Sequence, residues 1–186
     1  MVFDSAPDIR ASRFAEARGL TIVARLGFGI DGSVFLARSG DGAVRALKAF
    51  ERNEGFEREL AVYQRLAARR VKAVRGHAVP ELVDHDDALG VIAISVVTLP
   101  YVLDFAKVSL DTPPDFPEDV LRAEQRRAAR LFGPLLWPRV LGILSEFRRM
   151  GVWLLDVNPR NIGFPRAELE ASQAAGRDAP NSIGDA

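Results

Sequence analysis

The stretch RLGFGIDGSVFLARSGDGAVRALKAF (Arg25–Phe50) decides how the rest of the chain is read. Val34, Phe35 and Leu36 are strand formers, and Gly40-Asp41-Gly42 is a hairpin signal. Val44, Ala46, Leu47, Ala49 and Phe50 then form a further short strand, so the stretch reads as strand, glycine turn, strand, hairpin, strand. Gly27, Gly29 and Gly32 give a G-x-G-x-x-G spacing. Because it lies between two strands rather than between a strand and a helix, a dinucleotide-binding fingerprint does not fit. A glycine-rich hairpin can instead fold over phosphates, since missing side chains let backbone N–H groups approach the oxygens. Val34 would then cover a flat base.

Working outward, NEGFERELAVYQRLAA (Asn53–Ala68) places Phe56, Leu60, Tyr63, Leu66 and Ala67 at helical spacing. Lys48 stands among apolar residues on a strand, where an ammonium is costly without a partner. Glu59, three residues after Phe56 and four before Tyr63, lies near the inward edge of that helix. Glu57 is the other candidate, with less favourable spacing. A Lys48–Glu59 pair would aim the ammonium at a nucleotide.

A short strand is expected around Leu82, a polar turn at His85 to Asp87, and a strand from Val91 to about Val97. The most apolar window, Leu89 to Leu103, is too short to span a bilayer, and Pro100 and Asp104 interrupt or bound it. A proline-rich connection (Val108 to Pro117) leads to a charged helix from about Glu118 to Leu131. In a second helix Val140, Leu141, Leu144 and Phe147, with Ile143 as a further candidate, face a core, and Gly151 suits a left-handed cap. A solvated face explains Arg122, Arg126, Arg127 and Arg130 on the charged helix. The polar residues 165–186 allow a short helix around Ala167 to Ala175 and then disorder. Strands cluster in the first half and helices in the second, which indicates an α+β fold rather than alternating βαβ units.

The 186 residues suffice for one domain built as two small lobes, and 48% apolar content supports a core. Lys plus Arg equal Asp plus Glu at 25 each, so no global field draws nucleic acid or an anionic membrane. The absence of cysteine excludes disulfides and thiolate metal sites. His77 and His85 read as structural or surface residues. The start MVFDSAPDIR lacks the pattern of a secretory signal, and a cytoplasmic protein is expected.

LLDVNPRNIGF (Leu154–Phe164) follows the apolar helix. Asp156 and Asn161 are five residues apart, with Pro159 stiffening the turn between them. In a loop that spacing lets a carboxylate face a hydroxyl nucleophile while an amide oxygen binds Mg²⁺.

Taken in order, the glycine loop, strand Lys, helix Glu and D-x-x-x-x-N loop resemble the protein-kinase-like superfamily. Within it, LLDVNPRN is similar both to the H-R-D-L-K-P-E-N loop of protein kinases and to the H-G-D-x-x-P-x-N loop of small-molecule kinases. The resemblance runs from about Leu26 to Asn161 and implies a small antiparallel sheet lobe with one helix (20–99). It also implies a reduced helical lobe (100–164), shortened at its C-terminal side, and a polar tail (165–186). Gly27, Gly29, Gly32, Val34 and Ala46 would hold ATP, with Lys48 on its α and β phosphates and paired to Glu59. The segment from Ile94 to Tyr101 would contact the adenine, Asp156 would be the catalytic base and Asn161 a Mg²⁺ ligand.

There are departures from that pattern. The His and Arg before the catalytic Asp are Leu154 and Leu155 here, which argues against control by activation-loop phosphorylation. The Lys two residues after it is Asn158, and Arg160 can supply positive charge instead. The D-F-G motif, whose Asp holds the main Mg²⁺, is not found after Asn161; Asp185 and then Asp178 are the remaining candidates. The implied function is transfer of the ATP γ-phosphate to a protein hydroxyl. A pseudokinase that binds nucleotide or a partner, and a small-molecule phosphotransferase, are the alternatives.

Overall fold

The computed structural model describes residues 6–29, 31–105 and 107–178. The candidates Asp178, as a side chain, and Asp185 lie outside the described residues. The chain forms two compact units. The first takes the residues up to Lys72, Val79–Thr98 and Asp104–Val108; the second takes Ala73–Ala78, Leu99–Leu103 and the residues from Ser109 on.

In the first unit, α1 (Pro7–Ala17) precedes β1 (Leu20–Gly29), β2 (Gly32–Ser39), β3 (Val44–Phe50) and α2 (Asn53–Ala68). In the second unit come β4 (Ala73–Val74) and β5 (His77–Ala78), before β6 (Leu82–Asp86) and β7 (Val91–Ser95) complete the first unit's sheet. That sheet has the order β1-β2-β3-β7-β6 and is antiparallel throughout. The turn expected at His85 to Asp87 starts later, because His85 and Asp86 still pair with Ile92 and Val91. Strand β7 stops at Ser95, whose hydroxyl accepts from the Glu81 N–H at 2.9 Å, and Val96 is already exposed.

Alternation assigns the two sheet faces. Phe35, Ala37, Leu47, Ala49, Val91 and Ala93 pack under Ala11, Phe14 and Ala15 of α1. Those three recur at the i, i+3, i+4 spacing of a helix stripe. Pro7 opens the helix where its missing N–H costs nothing, and Gly19 (φ 63°) ends it. Burial of Phe14, fully enclosed, stabilises by about 2–3 kcal/mol. On the other face, cross-strand pairing sets Val34 opposite Lys48, Leu36 opposite Ala46, and Lys48 opposite Ile92. Helix α2 packs against β3, β6 and β7 through Phe56, Leu60 and Tyr63, which are buried.

The remaining elements are β8 (Tyr101–Val102), β9 (Val108–Leu110), α3 (Glu118–Arg149), β10 (Val152–Leu154), β11 (Ile162–Gly163) and α4 (Arg166–Asp178). A four-stranded sheet of order β11-β8-β5-β4 belongs to the second unit, and β9 pairs with β10. Helix α3 is broken at Gly133 (φ 73°, ψ 168°), which separates the two helices expected from the sequence. Pro134 opens the second segment. The Ser172 hydroxyl on α4 accepts from the N–H groups of Leu135 and Leu136, both at 3.0 Å, and so caps it. Gln173 Nε2 donates to the Leu131 carbonyl at 2.7 Å on the other side of the break. Helix α4 is therefore longer than the polar sequence suggests, with Ser172 fully buried. Among the described residues, no helix is long and apolar enough to cross a membrane.

Candidate functional site

In the first unit the structure brings Lys48 and Glu59 together, and adds Asp104. Lys48 Nζ donates to Glu59 Oε2 at 2.6 Å and to Asp104 Oδ1 at 2.8 Å. Its position on β3 aims the chain at the face that carries Val34 and Ala46. Glu59 is 1% exposed, one residue before the buried Leu60 and four before Tyr63 on the inward stripe of α2.

Two carboxylates and one ammonium give this cluster an excess of negative charge. Burial pushes the Lys48 ammonium down, but Glu59 and Asp104 outweigh it and the net shift is upward, so Lys48 stays charged. Glu59 is also raised, first by burial and then by the charge of Asp104, against the attraction of Lys48. Burial, followed by the charges of Glu59 and Asp104, holds the Tyr63 phenol well above its ordinary range.

In the sequence Asp104 stands out only as a charge bounding an apolar window. It adopts a left-handed backbone (φ 60°) two residues past the end of a two-residue strand, so no periodicity marks it. The signal available was local: an acid followed at once by Phe105, which is fully buried and packs edge-on against Tyr63 at 5.3 Å.

The glycines divide into two kinds. A Cβ on Gly32 (φ 137°) would lie 2.0 Å from the Ala49 carbonyl oxygen, so this glycine is demanded by the approach of β2 to β3. A Cβ on Gly27 or Gly29 would meet nothing within 4 Å, so neither is demanded by packing.

In the second unit, the loop after β10 is knit by its own amides. Asn158 Nδ2 donates to Asp156 Oδ1 at 2.9 Å, and Asn158 Oδ1 accepts from the Arg160 N–H at 2.9 Å. Asn161 Nδ2 donates to the Asp156 carbonyl at 2.9 Å, which leaves its amide oxygen as the open acceptor. Asn158, read from the sequence as a departure, is thus one residue that orients the Asp156 carboxylate. Ile162 and Phe164, both buried, anchor the loop's exit, with Phe164 edge-on to His77 at 4.6 Å. Leu154 and Leu155 are half-buried.

Strand β11 pairs antiparallel with β8, Ile162 opposite Val102. The Leu103 N–H donates to the Asn161 carbonyl at 2.7 Å. Asp104 is the next residue along the chain. Among the described residues, no three His, Cys, Asp or Glu side chains cluster as a metal cage.

No family model matches this sequence, and no curated protein matches it. Among solved structures, the chain is similar to the macrolide 2'-phosphotransferase MphH from Brachybacterium faecium, with 19% identity and a TM-score of 0.40. That match covers 75% of this chain and 43% of the other. The Rio2 kinase from Chaetomium thermophilum is similar at 18% identity and a TM-score of 0.36, over 68% of this chain and 44% of that one. Its ADP/Mg²⁺-phosphoaspartate complex matches at 13% identity and 0.36, over 93% and 67%. The chain thus spans under half the length of the first two.

Proposed function

We propose that this chain binds ATP with Mg²⁺ and transfers the γ-phosphoryl group to a protein hydroxyl, with Asp156 as the base. The observation that carries the reading is the buried Lys48 ammonium held between Glu59 and Asp104. A lysine kept charged on the face of Val34 and Ala46 is suited to phosphate oxygens. Asp104 and Phe105 repeat the first two letters of the D-F-G motif, here before the D-x-x-x-x-N loop instead of after it.

Asp104 offers a carboxylate oxygen and Asn161 an amide oxygen, each a hard donor of the kind Mg²⁺ takes. Such ions are commonly held by one or two protein ligands with water and phosphate oxygens completing the set, so a three-acid cage is not required. When bound, the ion would neutralise charge on the phosphates. Asp156 would accept the proton of the acceptor hydroxyl as its oxygen bonds to the γ-phosphorus and the bond to ADP breaks. Asn158 would hold the Asp156 carboxylate in orientation.

The experiment is transfer of label from γ-labelled ATP in the presence of Mg²⁺, with a protein panel in one arm and small alcohols, including a macrolide, in the other. Transfer to the panel that is lost in Lys48→Ala, Asp104→Asn and Asp156→Ala is the expected result. Label persisting in all three variants would sink the assignment. Thermal stabilisation by ATP without transfer to any acceptor would leave a nucleotide-binding module, and transfer confined to the small alcohols would replace the acceptor class.

A further inference from the structure

Helix α1 is fixed to the five-stranded sheet at three points along its length. At its C-terminal end Arg18 Nε pairs with Asp84 Oδ2 at 2.5 Å, and its guanidinium also reaches Asp86 on β6. One turn into the helix the buried Arg10 donates to the carbonyls of Leu89 and Phe50. At its first turn the Asp8 carboxylate accepts from Ser33 Oγ at 2.7 Å and from Arg25 Nη2. The last contact bears on the glycine hairpin. Arg25 lies two residues before Gly27 on β1, and Ser33 directly follows Gly32 on β2. One carboxylate therefore holds both stems, and Ser33 is 7% exposed beneath it. The stem needs such a hold, because β1 departs from regular register on both sides of Arg25, between Ile22 and Ala24 and between Arg25 and Gly27.

We infer that Asp8 is a positioning residue: through Ser33 and Arg25 it fixes the stems of the glycine hairpin and so sets the affinity for the nucleotide's phosphates. This rests on the ATP-binding reading above. Backbone N–H groups held in place before binding lose less freedom on binding, so the brace acts on affinity more than on the chemical step.

The test has two readouts on the full chain. Hydrogen exchange without nucleotide reads the brace itself. Asp8→Ala and Ser33→Ala are expected to speed exchange of the amides of residues 26–29 and 32–34, while amides of β3 and α2 keep their protection. Binding and turnover read the consequence: the ATP KM is expected to rise about fivefold in Asp8→Ala, from loss of a charge-assisted hydrogen bond, with kcat unchanged. Asp8→Asn, which can still accept from Ser33, is expected to recover part of that loss. Unchanged exchange in Ser33→Ala, which keeps the fold even if Asp8→Ala does not, would overturn the inference. So would faster stem exchange with unaltered ATP affinity. A wild-type chain with no affinity for ATP would refute the proposed function, and the consequence drawn here with it, whereas the exchange data would still report whether Asp8 holds the stems.

Discussion

Replacing Gly32 and Gly27 by alanine separates a glycine needed by the fold from one free for a ligand. At Gly32 the added carbon would stand 2.0 Å from the Ala49 carbonyl oxygen and 2.9 Å from Phe50 Cα, both rigid backbone of β3. The backbone there (φ 137°) is one that side chains rarely adopt, which costs on the order of 1–3 kcal/mol. Relief of the clash must also pull β2 from β3 where Gly32 pairs with Phe50, giving up about 1 kcal/mol of hydrogen bonding. The expected loss is about 2–4 kcal/mol for Gly32→Ala. At Gly27 the carbon meets nothing and the backbone has ordinary φ, so the change should be within about 0.5 kcal/mol. Urea unfolding followed by far-ultraviolet circular dichroism is the assay. Tryptophan fluorescence would report the wrong unit, since both Trp137 and Trp153 lie in the second one. Equal losses in the two variants, or a Gly32→Ala chain as stable as wild type, would refute this division. Gly27→Ala should instead weaken ATP binding at unchanged stability.

Three further outcomes are expected. Glu59→Ala leaves Lys48 with Asp104 alone in a buried setting and should cost about 3 kcal/mol in urea unfolding, with Glu59→Gln costing less. Burial pushes the His77 imidazole below its ordinary value, and Arg139 adds to this while the Arg75 carbonyl and Glu168 oppose it. Its contribution to stability is thus present above the unfolded value of about 6.5 and lost as pH falls from there through the lower folded value. Urea midpoints at pH 7.5 and 5.5 should differ in the wild type and converge in His77→Asn. Ser172→Ala uncaps the second half of α3 and should cost about 1–2 kcal/mol. Gly133→Ala should cost more, because its Cβ would lie 2.2 Å from the Ser172 carbonyl oxygen; thermal unfolding of the two variants gives the order.

The sequence carried the α+β class, the glycine hairpin and helix α2 because each leaves a local pattern. Alternation marks strands, glycines mark turns, and the stripe of Phe56, Leu60 and Tyr63 points Glu59 inward. Asp104 was hidden for the opposite reason. Its partner Lys48 is 56 residues away, and the strands that place it are two residues long. The reach of α1 was hidden too. An amphipathic stripe predicts that a helix packs, but not that Asp8 meets β1 and β2, Arg10 the end of β3, and Arg18 β6. Asn158 was visible but read as a substitution, since its hydrogen bond to Asp156 depends on the turn closing.

The break in α3 ties the order of folding to the order of synthesis. Neither end of the gap at Gly133 is satisfied by its own helix, because the groups that close it are Ser172 and Gln173. On a ribosome adding roughly 5–20 residues per second, those groups appear some seconds after the gap itself. During that interval the first unit has every strand of its sheet, while Leu135 and Leu136 present open N–H groups to whatever is near. A pause in translation between Gly133 and Ser172 would lengthen that exposure without changing any residue of the finished protein.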